Sequence, residues 1–161
     1  MIEFLAPLTF FLSIDEAPRA IDDGGVRVFI ESHRPENAGT GKVIATVSGH
    51  FDSDSFPDKL AVYSYENIST SGDLAHGLYA VAFFTENFGT SDILFIPATE
   101  IIPESVRPYS SDGSELEIRG KRHLPGDDDC SPSAIASIAL WVADGKVVVL
   151  IGEYRKSSSR D

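Results

Sequence analysis

Hydrophobic and polar residues alternate in short segments along this chain, and clusters of Gly, Pro, Asn, Asp and Ser separate the segments. Alternation at every second residue is typical of a strand with one buried face, and the clusters favour turns. The pattern predicts strands over these segments: Val26 to Glu31, Lys42 to Ser48, Lys59 to Tyr65, His76 to Phe84, Asp92 to Ile96, Glu115 to Arg119, Ser137 to Val142 and Lys146 to Ile151. Glu115 to Arg119 is short and polar, so we expect it near a sheet edge, with Glu115 and Glu117 exposed to solvent.

The last two segments predict a hairpin. They flank Ala143-Asp144-Gly145, and Asp-Gly between apolar runs is a strong signal for a tight turn because Gly readily takes a positive φ. An alternative stays open, since Ser131-Pro132-Ser133-Ala134 is a possible helix cap with Pro at the first helical position. A helix would then run through Leu140, whereas the alternation of apolar residues favours the strand.

The two ends of the chain differ from its middle. Met1 to Ser13 is apolar but too short to span a bilayer, and it has no basic residue before its apolar run, so it is a poor signal peptide. It is either a first strand packed in the core or the remainder of a chain whose leader lies upstream. Arg155 to Asp161 is typical of a frayed tail. We therefore predict one β-rich domain over residues 1–154 and a tail over 155–161.

Length and repeats limit the architecture. The chain has 161 residues, the usual size of one domain, and 42% of them are apolar, which is enough to form a core. There is no internal repeat, which argues against a solenoid or a complete propeller. The expected fold is mainly β, a single compact domain of short antiparallel strands with little helix.

Charge narrows the classes of partner. The formal net charge is −12, from 25 acidic and 13 basic residues. Such a chain repels phosphate backbones, which argues against nucleic-acid binding, and it attracts a basic protein or a cation. The other interpretation is that the charge serves solubility alone. Cys130 is the single cysteine, so no internal disulfide forms, and we expect it to be a small packed thiol.

One loop carries candidate chemistry. Gly49 to Asp58 places Asp52, Asp54 and Asp58 at alternate or near-alternate positions just before an apolar strand, with small Ser residues between the first two. Ca²⁺ takes six to eight oxygen ligands at short range, and a loop whose alternate side chains point inward is able to supply them. The other interpretation is a structural turn in which the Asp side chains accept hydrogen bonds from their own backbone.

The same loop resembles the calcium-binding loop of FG-GAP and related VCBS-type repeats, in which Gly-Asp-Phe-Asn/Asp-Gly-Asp-Gly-x-Pro-Asp precedes an apolar strand. The similarity extends from Gly49 to Val62. It implies Ca²⁺ as a cofactor, with Asp52, Asp54 and Asp58 as side-chain ligands and Phe56 as a carbonyl ligand. His50 stands where the family has its first Asp, and serines replace two glycines.

A second resemblance lies downstream. Asp127-Asp128-Asp129-Cys130-Ser131-Pro132-Ser133, followed by the Asp-Gly hairpin, is similar to small bacterial envelope domains with an Asp-x-x-Cys-Cys-Pro-Ser motif, although Ser131 replaces the second Cys. This similarity implies a β-rich module in the envelope or periplasm, and the residues themselves do not indicate a location. Asp127, Asp128 and Asp129 are either a contact patch for a basic partner, a second cation site or a solvated loop.

No catalytic motif accompanies these features. There is no Gly-x-Ser-x-Gly elbow, phosphate-binding Gly-rich loop or zinc-type spacing of His and Cys. The leading hypothesis is therefore a non-enzymatic acidic binding protein, such as an inhibitor or immunity protein that covers a basic surface. One alternative is a calcium-stabilised envelope or secreted structural module. The other is a hydrolase whose residues converge only in the fold, for example His50, Asp52 and either His76 or His123.

Overall fold

The chain forms one helix and two antiparallel sheets. The computed structural model describes residues 21–66, 77–87, 89–97, 101–109, 115–127, 132–152 and 155–156. The apolar segment Met1 to Ser13, His76, Asp128, Asp129 and Cys130 lie outside these residues. The elements are α1 (Asp23–Ser32), β1 (Gly41–Gly49), β2 (Asp58–Tyr65), β3 (Gly77–Phe84), β4 (Gly89–Thr90), β5 (Leu94–Pro97), β6 (Ile102–Pro108), β7 (Glu115–Arg122), β8 (Ala134–Ala143), β9 (Lys146–Ile151) and β10 (Arg155–Lys156).

Each sheet has three full strands, and two shorter strands share the fourth position at one edge. Sheet A has the order β1-β2-β3, and both β4 and β5 pair with the far side of β3. Sheet B has the order β6-β7-β8, and β9 and β10 both pair with the far side of β8. All these pairings are antiparallel, and the described strands close neither a barrel nor a propeller. The expectation of a mainly β single domain with little helix is confirmed.

The main core lies between the two sheets. Sheet A contributes alternate residues of β2 and β3, including Leu60, Val62 and Leu78, and sheet B contributes alternate residues of β7 and β8, including Ile118 and Ile138. Because every second side chain of a strand points to the same face, these residues define the inner face of each sheet. The residues between them in sheet B must therefore point away from the core.

A second core lies on the opposite face of sheet A. Val26 and Ile30 of α1 pack there against Ala61, Tyr63 and Val81, together with their aromatic neighbours. Sheet A is consequently covered on both faces, by α1 on one side and sheet B on the other. That is why β2 is buried along almost all its length and has no polar face.

The strand predicted from Val26 to Glu31 is wrong, because this segment is the helix α1. Val26 and Ile30, four residues apart, are both 1% exposed, whereas Val28 between them is 71% exposed. A strand would have placed all three on one face. Asp22 caps this helix, since its carboxylate accepts a hydrogen bond from the Gly25 N–H at 2.7 Å.

The strand predicted at a sheet edge is also misplaced. β7 continues to Arg122 and lies inside sheet B, paired with β6 on one side and β8 on the other. The edge strand is β6, which the alternation pattern missed because most of its residues are polar or Pro and are exposed. Glu117, expected in solvent, is 5% exposed.

The other predicted strands form with bounds shifted by up to three residues, whereas the two-residue strand β4 was not predicted. The hairpin between β8 and β9 has the predicted turn. Asp144 and Gly145 have φ of 51° and 71°, as a two-residue type I′ turn requires. The alternative helix through Leu140 is wrong, because these residues pair with β7 and β9. Arg155 and Lys156, which the sequence assigns to a tail, pair with β8, and residues 157–161 lie outside the described part of the chain.

Candidate functional site

The predicted calcium loop connects β1 to β2 and is fastened to the next strand by Asp58. The Asp58 side chain is fully buried. One of its carboxylate oxygens accepts a hydrogen bond from the Phe51 N–H at 3.0 Å, and the other accepts from the Thr85 N–H at 2.9 Å. The Thr85 hydroxyl also donates to the Pro57 carbonyl. Asp58 therefore closes the loop and ties it to the end of β3.

The other two aspartates organise the tip of the loop. The Asp54 N–H donates to Asp52 Oδ1 at 2.9 Å, and the Phe56 N–H donates to Asp54 Oδ1 at 2.7 Å. Each contact is an Asx-turn, in which the Asp side-chain oxygen accepts a hydrogen bond from the N–H two residues later and so mimics the carbonyl acceptor of a backbone turn. His50 Nδ1 lies 3.1 Å from the Phe56 carbonyl, the expected backbone ligand. The aspartates thus have the structural roles that the sequence left open as the alternative to metal binding.

One oxygen of this loop has no partner. Asp54 Oδ2 is buried and makes no hydrogen bond within the described part of the chain. A buried carboxylate oxygen without a donor or cation is costly. Within those same residues, no group of three or more His, Cys, Asp and Glu side chains gathers closely enough to hold a metal ion. Asp52 and Asp54 are therefore the part of the predicted ligand set that retains oxygen atoms for a cation.

The loop belongs to an acidic end of sheet A. The end of β1, the start of β2 and the end of β3 meet here, and the Lys59–Asp23 ion pair of 3.0 Å places the start of α1 beside them. Ser91 bonds to Ala82 near the end of β3 and so holds Asp92 nearby. Besides the buried Asp58, this end has the half-buried Asp54 and five exposed acidic residues, which are Asp22, Asp23, Asp52, Glu86 and Asp92.

Of the predicted contact patch Asp127–Asp129, only Asp127 is described. Its Oδ2 accepts hydrogen bonds from the Leu124 N–H at 2.7 Å and the Ser133 N–H at 2.9 Å. These bonds, from the Leu124 backbone first and from Ser133 next, hold the pKa of Asp127 below its usual range. Asp127 therefore shapes the turn that leads into β8.

The residues considered for a hydrolase lie on different elements. His50 follows β1 in sheet A, and His123 follows β7 in sheet B. His76 lies outside the described residues. The structure gives no shared contact that would assign these side chains to one site.

A charged cluster that the sequence analysis missed lies on sheet B. The buried Glu117 carboxylate accepts Arg107 Nη2 at 2.6 Å, Arg119 Nε at 2.8 Å and the Ser137 hydroxyl at 3.0 Å. Burial tends to raise the pKa of Glu117, but the bonds from Arg119, Arg107 and Ser137 outweigh it, so the pKa lies below the usual value. Arg107 and Ser137 are distant in sequence, and strand pairing alone brings them to Glu117.

The described residues contain no helix with the length and apolarity needed to cross a membrane. Comparison with protein-family models, with curated proteins and with solved structures found no match for the chain.

Proposed function

We propose that this chain is a non-enzymatic protein-binding domain that binds a basic partner at the acidic end of sheet A. The observation that carries the proposal is the concentration of five exposed carboxylates and Asp54 at the place where three strand ends and the start of α1 meet. Lys59, the basic residue in contact there, is already paired with Asp23. The exposed carboxylates therefore give this end a negative potential toward solvent.

Rigidity supports the same proposal. Asp58 fastens the loop to β3, and the two Asx-turns hold the carboxylates of Asp52 and Asp54 in fixed positions. A surface that is already ordered loses little conformational entropy when it binds. Complementary charge also accelerates association, as an inhibitor or immunity protein that covers a basic active site requires.

The test is an NMR titration of the whole chain with an octalysine peptide. We expect chemical-shift changes around Asp23, Asp52, Glu86 and Asp92. The affinity should fall steeply between about 25 and 150 mM NaCl, because the Debye length shortens to about 8 Å over this interval and screens the charges of the two partners. The variant D52N/D54N/E86Q should bind roughly fivefold to tenfold more weakly, an effect of about 1 kcal/mol. Asn keeps the Oδ1 acceptor of each Asx-turn, so the loop conformation should persist.

The control variant E36Q/E66Q/E104Q carries the same change in charge. The Glu66 carbonyl accepts a hydrogen bond from the Gly39 N–H, and Glu104 borders a groove with Lys42 and Ser64. Glu66 and Glu104 therefore lie toward the opposite end of β1 and β2. Equal weakening by both variants would mean that only net charge matters and would contradict the proposed site. Affinity capture from the native source with the wild-type chain and with D52N/D54N/E86Q would then identify the partner.

As a second candidate function, we propose that the loop holds Ca²⁺ and thereby stabilises the domain. The specific observation that favours it is the buried, unpartnered Asp54 Oδ2, together with the exposed carboxylate of Asp52. The ion would neutralise and cross-link these oxygens. Asp58 already accepts two backbone hydrogen bonds, so its contribution would be weaker than the resemblance implies.

Isothermal titration calorimetry with CaCl₂ separates this candidate from the first. His50→Asp adds an oxygen ligand in place of imidazole, which is a poor ligand for a hard cation, so binding should be at least several-fold stronger than in the wild type. H50D/D54N should lose the gain. If neither the wild type nor His50→Asp releases or absorbs heat, the calcium proposal is wrong.

A further inference from the structure

The outward face of sheet B combines an ordered arginine pair with apolar side chains. Residues paired across antiparallel strands point to the same face of a sheet. The inward residues of β7 and β8 include Ile118 and Ile138, so their neighbours Glu117, Arg119 and Ser137 point outward. The register extends this face to β6 through the Arg107–Glu117 pair.

The arginines of this face are held in place from below. Glu117 is buried beneath them and accepts Arg107 through Nε and Nη2 and Arg119 through Nε. Both arginine side chains are nevertheless about half exposed, at 53% and 52%. Two guanidinium groups on one carboxylate leave the cluster with a charge of +1, in a chain whose net charge is −12. A planar guanidinium fixed in this way is well suited to bind a second carboxylate or another oxyanion.

Apolar side chains lie on the same face beside the arginines. The register places Ile135 opposite Lys121, and Leu150 opposite Ala139, which itself pairs with Glu117. Ile135 is 53% exposed and Leu150 is 59% exposed. At one end of the face, a groove is lined by residues that include Arg119, Ile135 and Glu104, and Glu104 pairs with Lys121 at 3.2 Å. Trp141 and Val148, a pair of partly exposed residues, extend the apolar part toward the β8–β9 turn.

We infer that this face binds a protein segment whose acidic side chains lie next to apolar ones. Charge complementarity selects this partner: the carboxylates of the segment would lie on Arg107 and Arg119, and its apolar side chains on Ile135 and Leu150. Tryptophan and arginine beside exposed aliphatic residues are typical of the residues that dominate protein interfaces. The inference rests on sheet B alone and does not depend on the acidic end of sheet A. The domain would then bind partners of opposite charge at two places.

The test is a titration, by NMR and by calorimetry, of the full chain with an octapeptide of alternating Glu and Leu. Shifts should be confined to β6–β9, and an octapeptide of alternating Gln and Leu should bind at least tenfold more weakly. R107K/R119K keeps the charges on Glu117 but removes the planar groups, and it should weaken binding at least fivefold. Leu150→Ser removes an exposed apolar contact and should have a similar effect.

Matched controls lie on α1 and directly after it, on the far side of sheet A. Val28→Ser removes an exposed apolar side chain, and Arg34→Lys replaces a partly exposed, ion-paired arginine. Both should leave binding unchanged, and thermal melting of every variant verifies that it is folded. Binding that is insensitive to R107K/R119K would overturn the inference. Binding of inorganic phosphate as tight as that of the acidic peptide would also overturn it, because it would indicate a simple oxyanion site. A third contradicting result is a dimer in sedimentation that Leu150→Ser dissociates while no peptide binds, which would indicate that a second copy of the chain occupies the face.

Discussion

At the scale of single residues, Glu117 is a charge held in place from several sides. Its carboxylate is buried and bonded to two arginines and a serine hydroxyl. Replacing one partner of such a group leaves the others unpaired, which costs more than an exposed ion pair contributes. Glu117 is therefore a structural requirement of the arginine pair that we propose as a binding site.

We expect Glu117→Gln to lower the free energy of unfolding at pH 7 by about 1–3 kcal/mol, the range for hydrogen bonds to charged groups. Because the pKa of Glu117 is lower in the folded protein than in the unfolded chain, its stabilisation is present above the ordinary glutamate value of 4.5 and is lost as the pH falls through the folded pKa. Urea unfolding at pH 7 and at pH 3 measures this difference. It should shrink at the lower pH, and a difference that stays constant would contradict the assignment.

Tyr63 and Tyr65 differ in the hydrogen bonding of their hydroxyl groups. Tyr65 donates its hydroxyl to the Ile30 carbonyl at 2.8 Å and so connects sheet A to the end of α1. The Tyr63 hydroxyl is buried and makes no hydrogen bond of normal geometry with the described residues, although the Tyr65 side chain lies near enough to influence its pKa. Burial, with a contribution from neighbouring tyrosines, raises the pKa of Tyr63 and raises that of Tyr65 to about 12, so both remain neutral at physiological pH.

Paired substitutions by Phe should therefore have different effects. Tyr65→Phe removes a made hydrogen bond and should destabilise the protein by about 1 kcal/mol. Tyr63→Phe removes a buried polar atom that makes no hydrogen bond of normal geometry with the described residues, so stability should stay the same or rise by up to about 1 kcal/mol. Chemical denaturation of both variants provides the measurement. A large loss for Tyr63→Phe would show that its hydroxyl has a partner.

At the scale of elements, the β1–β2 loop depends on Asp58 more than on the aspartates at its tip. Asp58 connects two elements that are distant in sequence, whereas Asp52 and Asp54 bond to residues two positions away. Loss of Asp58 would leave two buried N–H groups without an acceptor. The loop would then separate from the end of β3.

Asp58→Asn retains one acceptor oxygen but places an NH₂ group against a backbone N–H. We expect it to lower the free energy of unfolding by roughly 2–4 kcal/mol, about the cost of one or two unsatisfied buried donors. Asp52→Asn keeps its acceptor in the Asx-turn and should change stability by less than about 0.5 kcal/mol. Urea unfolding of the two variants compares them directly, and equal losses would argue against the connecting role of Asp58.

At the scale of the whole molecule, electrostatic repulsion should dominate the response to salt. The chain carries a net charge of −12, and much of the exposed negative charge lies at one end of sheet A. Compact acidic proteins are destabilised by self-repulsion, which salt screens. The basic face of sheet B is too local to reverse this balance.

We therefore expect the melting temperature to rise by roughly 2–4 °C between 10 and 200 mM NaCl, which corresponds to about 1 kcal/mol for a chain of this size. D52N/D54N/E86Q should melt at a higher temperature in low salt and respond less to added salt. Differential scanning calorimetry in a buffer without divalent ions measures both effects. A melting temperature that falls with salt would mean that ion pairs outweigh repulsion.

Much of the fold was predictable because strand formation and tight turns depend on local residues. The β8–β9 hairpin follows from apolar alternation on both sides of Asp144-Gly145, and the strands β1, β2 and β3 follow from the same pattern. The Asx-turns of the Asp loop are local as well, since each joins residues two positions apart. The strand β6 was missed because an exposed edge rich in Pro and polar residues has no alternating signal.

The candidate sites were predictable only in part. The sequence identified the Asp loop and its two possible roles, but it treated Glu117 as an exposed residue. Nothing near Glu117 in the sequence identifies Arg107 as its partner, because Arg107 belongs to the unrecognised strand β6. Ser137, on β8, reaches the same carboxylate from the other side.

The sequence by itself determined the β-rich character, the hairpin turn, the acidic charge and the chemistry of the Asp loop, because these depend on residue type and on neighbours a few positions away. The tertiary structure decided that residues 23–32 form a helix. The apolar residues Val26, Val28 and Ile30 fit a strand as well as a helix, and only their packing separates the two, because sheet A buries Val26 and Ile30 and leaves Val28 in solvent. It also decided that Asp58 and Glu117 are buried. Their burial depends on hydrogen-bond donors that the pairing of distant strands brings to them.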